Sequence, residues 1–155
     1  MMTRLSCEVL QALKGKTLAT AESCTGGGIG AALTAIPGSS AVYKGGVISY
    51  TNEIKQNILN VDGDLLEKYG AVSEPVAIAM AEGVKKLLKT DIAVSVTGLA
   101  GPDGDDRGNP VGLVYIGYAD NGTTTCKKCY FEGDRESVRQ QAVEIALNIV
   151  LQNNQ

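Results

Sequence analysis

TLATAESCTGGGIGAALTAI, residues 17 to 36, carries a strand, a turn and a helix in one continuous stretch. Thr17 to Ala21 read as a short β-strand. From Thr25 to Ile36 the apolar positions Ile29, Leu33 and Ile36 recur at helical spacing, and Pro37-Gly38 ends the run. Between them lie Ser23 and Cys24, two side chains with nucleophilic atoms, followed by glycines at 26, 27, 28 and 30. Strand followed directly by helix is the repeating unit of an α/β fold. The turn itself has three readings: a catalytic elbow, a phosphate cradle, or a tight connection in which Thr25 merely caps the helix.

The rest of the chain extends the same pattern. Leu5, Val9, Leu10 and Leu13 have helical spacing and Gly15 marks a stop. VYKGGVISY, residues 42–50, reads as a second strand, with Gly45-Gly46 signalling a bulge or a close backbone approach. Asn52 is placed to cap a short helix bearing Ile54, Ile58 and Leu59, and another helical turn spans Asp64 to Tyr69. Ser73-Glu74-Pro75 opens a longer helix with Val76, Met80, Val84 and Leu87-Leu88 on its apolar face. DIAVSVT, residues 91–97, is a central strand. GLAGPDGDDRGNP, residues 98–110, is a loop rich in glycine and acid. Val111–Ala119 and Thr123–Phe131 form a hairpin about Asp120-Asn121-Gly122. Asp134 caps a last helix with Val138, Ala142, Ile145 and Ile149 inward. The expected fold is one domain, residues 1–155: a three-layer α/β/α sandwich on a mixed sheet that includes the C-terminal hairpin.

Composition narrows the chemistry. The 155 residues are 44% hydrophobic and 20% charged, as in a soluble globular domain. A net charge of −3 argues against general nucleic-acid binding, and no apolar run reaches the roughly 18 residues of a membrane span. The N-terminal MMTRLSCEVLQALKGK lacks the continuous apolar core of a signal peptide. Cys7, Cys24, Cys126 and Cys129 therefore read as reduced thiols of a cytoplasmic protein. The chain contains no histidine. That removes Ser-His-Asp and Cys-His catalysis and most zinc sites, and leaves lysine, carboxylate, tyrosine or water as general base.

Several residues carry candidate chemistry. No Walker lysine follows the glycines, so the turn is not a P-loop. Gly26-x-Gly28-x-x-Ala31 fits a dinucleotide fingerprint in form, but the acid expected about 20 residues on is not clearly placed. Lys55 falls in the first turn of its helix, where the dipole disfavours a cation and favours the neutral amine a base requires; a solvated surface lysine is the alternative. Tyr50 lies just before it, in the core or lining a pocket. Arg135 and Arg139 share a helix face and suit an anion, or else pair with Glu132 and Glu136. Thr97-Gly98 opens a glycine-rich loop at a strand C-terminus, the usual ligand edge of an α/β sheet. Cys126-Lys-Lys-Cys129 lies inside a strand with no second ligand pair and reads as incidental.

Five ordered segments carry a resemblance: AESCTGG at 21–27, PGSS at 37–40, GGVISYTNEIK at 45–55, GAVSEP at 70–75 and SVTGLAGPDG at 95–104. Together they resemble the C-terminal domain of the competence-damage-inducible CinA family, whose stand-alone form is nicotinamide-nucleotide amidase. The resemblance runs from about Thr17 into the last helix. It implies hydrolysis of the carboxamide of nicotinamide mononucleotide to nicotinate mononucleotide and ammonia, in pyridine-nucleotide salvage. It implies a serine nucleophile and a lysine base, which fall on Ser23 and Lys55, with Tyr50 and Arg135 at further site positions. Thr25, Gly26, Gly27, Gly46, Thr97 and Gly98 complete the expected oxyanion and substrate set, and Cys24 is expected to pack. Neither cofactor nor metal is expected. The partners implied are a small mononucleotide and other copies of the chain in a homodimer or higher homo-oligomer. Larger family members carry an additional N-terminal domain; this chain is expected to start directly with the amidase-like domain. The alternatives are a non-catalytic nucleotide-binding domain of the same fold and an amidase for another small carboxamide.

Overall fold

A computed structural model describes residues 2–155. Its elements run α1 (Met2–Ala12), β1 (Leu18–Glu22), α2 (Gly28–Thr34), β2 (Tyr43–Ile48), α3 (Asn52–Asn57), α4 (Gly63–Tyr69), α5 (Glu74–Leu88), β3 (Ile92–Gly98), β4 (Leu113–Ala119), β5 (Thr124–Tyr130) and α6 (Arg135–Gln152). The five strands form one mixed sheet in the order β2-β1-β3-β4-β5. β2, β1 and β3 are parallel, and β4 and β5 are antiparallel. The expected hairpin forms at 120–123, where Asp120 Oδ1 accepts from the N–H groups of Gly122 (2.9 Å) and Thr123 (2.7 Å).

Strand alternation sends each side chain to one of two helix layers. Leu18, Ile92, Val94, Val96, Val114, Ile116 and Tyr118 face the layer that contains α1, α2 and α6, meeting Val9, Leu13, Ile29, Leu33 and Leu147. Ala19, Ala21 and Ala93 face the opposite layer and pack with Val76, Met80 and Val84 of α5. The three-layer sandwich expected from sequence is the observed architecture. Two helix faces differ from expectation. Leu87 is exposed at 47%, and α6 buries Val143, Ala146, Leu147 and Val150 along with Val138, Ala142 and Ile149, whereas Ile145 is only partly buried. A helix that packs on both the sheet and α1 buries more than a narrow stripe.

The segment 17–36 differs from its sequence reading in one consequential respect. α2 starts at Gly28 rather than Thr25, so a five-residue loop, Ser23 to Gly27, separates strand from helix. Gly26 (φ +58°) and Gly27 (φ +101°) hold the left-handed conformations that let the loop turn. Thr25 does not cap the helix with its side chain. Its hydroxyl donates to Glu22 Oε1 (2.8 Å), and the same carboxylate takes the helix N–H groups of Ile29 (2.8 Å) and Gly30 (3.1 Å). Thr20 Oγ1 donates to Glu22 Oε2 (3.2 Å) and, its proton so used, accepts from the Tyr43 hydroxyl (2.7 Å). Glu22 is 2% exposed and has no Lys or Arg partner among the described residues. Backbone and hydroxyl donors at the positive end of α2 stabilise its charge instead.

β2 lies on the sheet edge and carries the anticipated irregularity: its register against β1 shifts by one residue between Leu18/Tyr43 and Ala19/Gly45. Gly46 is required by packing. A Cβ there would lie 2.3 Å from Thr20 Oγ1 and 2.8 Å from Tyr43 Oη.

Two stability predictions follow from these contacts. Gly46→Ala is expected to destabilise the fold by about 1–3 kcal/mol, because the displaced groups belong to the Glu22 network. Glu22→Ala, which takes the acceptor from four buried donors, is expected to cost on the order of 3 kcal/mol or more. Urea unfolding followed by circular dichroism measures both; a Glu22→Ala midpoint equal to the parent's would contradict the network's role.

Candidate active site

The parallel strands end together, and the candidate site lies beyond their C-terminal ends. Ser23 follows β1 directly, and its N–H donates to Val96 O of β3 (3.0 Å). On the other side the Ser49 N–H, just past β2, donates to Glu22 O (2.9 Å). The start of the loop is thus an extension of the sheet, which fixes Ser23. The loop then folds on itself, with the Gly26 N–H donating to Ser23 O (3.0 Å).

Lys55 enters from α3. Thr51, rather than the expected Asn52, caps this helix, accepting from Ile54 N at 3.4 Å. Lys55 is 1% exposed, so the surface-lysine alternative does not hold. Its Nζ lies 3.3 Å from Ser23 Oγ and donates to Ser49 O at 2.8 Å. Burial lowers the ammonium from its ordinary 10.5 to about 8. No carboxylate pairs with it among the described residues. A lysine so placed holds a fraction of neutral amine near neutral pH, with its lone pair within reach of the serine proton. Cys24, adjacent in sequence, shows the opposite tuning. Burial pushes its thiol up to about 11, so it is a protonated packing side chain at neutral pH.

Ser23 and Lys55 lie in a cleft of about 430 Å³. That volume falls within the range of small-molecule sites. Tyr50, Thr97, Gly98 and Arg135 also line it. Arg135 donates to Gly101 O (2.7 Å) and to the Tyr50 hydroxyl (3.2 Å), joining the glycine-rich loop to the α3 side of the cleft. Thr97 Oγ1 donates to Ala71 O (2.8 Å), so this hydroxyl orders the segment before α5. Leu66, Val72 and Leu99 contribute apolar surface, and Asp103, Asp106 and Arg107 contribute charge. Arg107 spans from the loop to α4, donating to the carbonyls of Glu67 and Lys68.

The other four residues of the expected substrate and oxyanion set lie outside the cleft lining. Gly27 and Gly46 line a separate hollow with Thr20, Glu22 and Tyr43, and Thr25 lines a third beside Arg139. The Gly26 N–H is occupied by Ser23 O. In the first turn of α2 the N–H groups of Ile29 and Gly30 are bound to Glu22 and do not face the serine. Of the two sequence alternatives for the α6 arginines, pairing with Glu132 and Glu136 does not form. Neither side chain forms an ion pair among the described residues, and Arg139 donates to Cys24 O (3.0 Å) and Thr25 O (3.3 Å). Cys126 is half-buried and Cys129 buried, three apart on β5 and hence on opposite faces. No group of three or more metal-ligating side chains gathers among the described residues, and no described helix is long and apolar enough to cross a membrane.

Sequence reasoning left Glu22, Arg107 and the task of Arg139 unassigned. Glu22 had a signal: it shares a strand face with Leu18 and Thr20, so an inward carboxylate was implied, and an inward carboxylate needs donors. Arg107 had none, because its partners are main-chain carbonyls about 40 residues away.

Comparison with known proteins agrees with the fold and extends it. Residues 2–153 match the CinA C-terminal domain family. A "CinA-like protein" of Parasynechococcus marenigrum is 51% identical over 136 residues, covering 86% of this chain and 32% of that protein. A "putative competence-damage inducible protein" of Desulforudis audaxviator is 46% identical over 137 residues, covering 88% of this chain and 33% of that protein. The chain thus spans about a third of the length of these relatives. Among solved structures, the competence damage-inducible protein A (ComA) of Klebsiella pneumoniae superposes with a TM-score of 0.95 at 40% identity, covering 97% of this chain and 95% of that one. CihA of Agrobacterium tumefaciens gives 0.95 at 38% identity, with 99% and 96% covered. On sequence and on structure alike, the chain belongs to the CinA C-terminal domain family.

Proposed function

We propose that this chain is an amidohydrolase that converts the carboxamide of nicotinamide mononucleotide to nicotinate mononucleotide and ammonia through a Ser23–Lys55 pair. The observation that carries the reading is the buried lysine: a base with its pKa lowered to about 8, set 3.3 Å from a serine hydroxyl at a cleft. In a chain without histidine, this is a base matched to near-neutral operation.

Neutral Lys55 removes the Ser23 proton as Oγ attacks the amide carbon. Backbone N–H groups of the Ser23–Gly27 loop hold the resulting oxyanion. The ammonium of Lys55 protonates the leaving nitrogen, ammonia departs, and a Ser23 ester remains. Lys55, neutral again, takes a proton from water, which attacks the ester and releases the carboxylate. The apolar wall of Leu66, Val72 and Leu99 suits the pyridine ring. Arg135 spends two donors on Gly101 and Tyr50, and its remaining N–H groups suit the substrate phosphate.

Ammonia release from nicotinamide mononucleotide, with and without chelator, tests the reading. Ser23→Ala is expected to abolish turnover, Cys24→Ala to retain it, and Lys55→Met to lower kcat by ~10²–10⁴-fold. Lys55→Arg is expected to be as inactive as Lys55→Met, since a guanidinium does not deprotonate. Because the working base is the neutral amine, kcat/KM is expected to rise with pH and level off above about 8. Full activity in Ser23→Ala would end the serine mechanism. Turnover of simple nicotinamide equal to that of the nucleotide would end the phosphate requirement. Ligand-induced stabilisation without turnover would favour a binding module.

A further inference from the structure

We propose that Arg139 is a positioning residue that sets the oxyanion site from behind the nucleophile loop. The proposal rests on the Ser23 reading above. The two arginines of α6 lie one turn apart and straddle that loop. Arg135 lines the cleft, whereas Arg139 lies in the hollow on the far side with Thr25, Gly28 and Val143. Its Nε donates to Cys24 O (3.0 Å) and its Nη2 to Thr25 O (3.3 Å). A Cβ on Gly26 would sit 3.4 Å from the same Nη2, so the guanidinium lies directly against the loop backbone.

The consequence follows from the peptide plane. In a trans peptide the C=O and the N–H point in opposite directions. Holding Cys24 O toward Arg139 turns the Thr25 N–H away from it. Holding Ser23 O with the Gly26 N–H fixes the Cys24 N–H in the same manner. The N–H groups of Cys24 and Thr25 have no acceptor among the described residues, although both residues are nearly inaccessible at 6% and 1%. An N–H with no protein acceptor is available to a ligand. Two of them, on the two residues after the nucleophile, form a donor pair whose acceptor is the oxyanion that develops during attack. Arg139 is suited to hold this arrangement because a planar fork can bind two carbonyls at once, which a lysine point charge does not reproduce.

The test uses the intact chain and two readouts. The first is turnover. Arg139→Gln is expected to lower kcat by about 10²-fold with KM little changed, because the pair acts only on the transition state. Arg139→Lys, which keeps the charge and spares the fold, is expected to recover little of that loss. Methylguanidinium at non-denaturing concentration is expected to restore kcat in Arg139→Ala, with methylammonium ineffective. The second readout is the affinity for 3-pyridylboronic acid, whose boron becomes tetrahedral on bonding to a serine oxygen, followed by boron NMR. The parent is expected to form the tetrahedral adduct, Ser23→Ala to form none, and Arg139→Gln to bind at least 10-fold more weakly at an unchanged melting temperature. An adduct of equal affinity in the parent and both Arg139 variants would overturn the role of Arg139 and leave the nucleophile intact. An adduct in the parent that persists in Ser23→Ala, or no adduct in the parent, would overturn the serine reading and this proposal with it. Loss of kcat that tracks a falling melting temperature and is not restored by methylguanidinium would reduce Arg139 to a structural support.

Discussion

The Glu22 carboxylate determines where the nucleophile loop can go. It is the last residue of β1 and faces the helix layer, so its charge must be satisfied inside the protein. It draws the start of α2 onto itself through Ile29 and Gly30 and takes the Thr25 hydroxyl as well. The residues between, Ser23 to Gly27, are then confined to a short loop between a fixed strand end and a fixed helix start. Ser23 needs no strained conformation of its own. Its place is set by the sheet on one side and by the carboxylate's demand for donors on the other.

The cations around the site share a second constraint. Lys55 donates to Ser49 O, Arg135 to Gly101 O, Arg139 to Cys24 O and Thr25 O, and Arg107 to Glu67 O and Lys68 O. Main-chain carbonyls, rather than carboxylates, hold all four. Carbonyl acceptors orient a cation while leaving its charge in place, and Asp103, Asp105 and Asp106 line the same cleft as Lys55, Arg107 and Arg135. The same contacts join separate segments: the nucleophile loop to α6, the glycine-rich loop to α6, and that loop again to α4. Loops that carry a site are thereby made as definite in position as the strands they follow.

The sequence disclosed the parts whose cause is local. Alternation and helical spacing placed the strands and helices, Asp120-Asn121-Gly122 placed the hairpin, and Gly45-Gly46 placed the bulge of β2. Ser23, Lys55, Tyr50, Arg135, Thr97 and Gly98 do converge on one cleft. The sequence misled where the cause is long-range. The glycine run looked like a helix entry open to substrate because nothing local shows that Glu22 occupies those N–H groups. Gly46 looked like a substrate contact, whereas its close neighbours are Thr20 and Tyr43. The α6 arginines offered surface ion pairs that do not form, because carbonyl partners more than 30 residues away leave no trace in spacing.

The buried amine of Lys55 also links the site to folding thermodynamics. In the unfolded chain this lysine holds its proton up to about 10.5, whereas in the folded protein it releases it near 8. Between those values the unfolded state binds more protons, so stability rises with pH across that window. Below about pH 8 both states are protonated, and the fold bears the full desolvation cost of an enclosed ammonium. The condition that readies the base is therefore the one that relieves the fold. Natural variation that sheltered Lys55 more deeply would gain reactivity near neutral pH and lose conformational stability by the same displacement of a single proton.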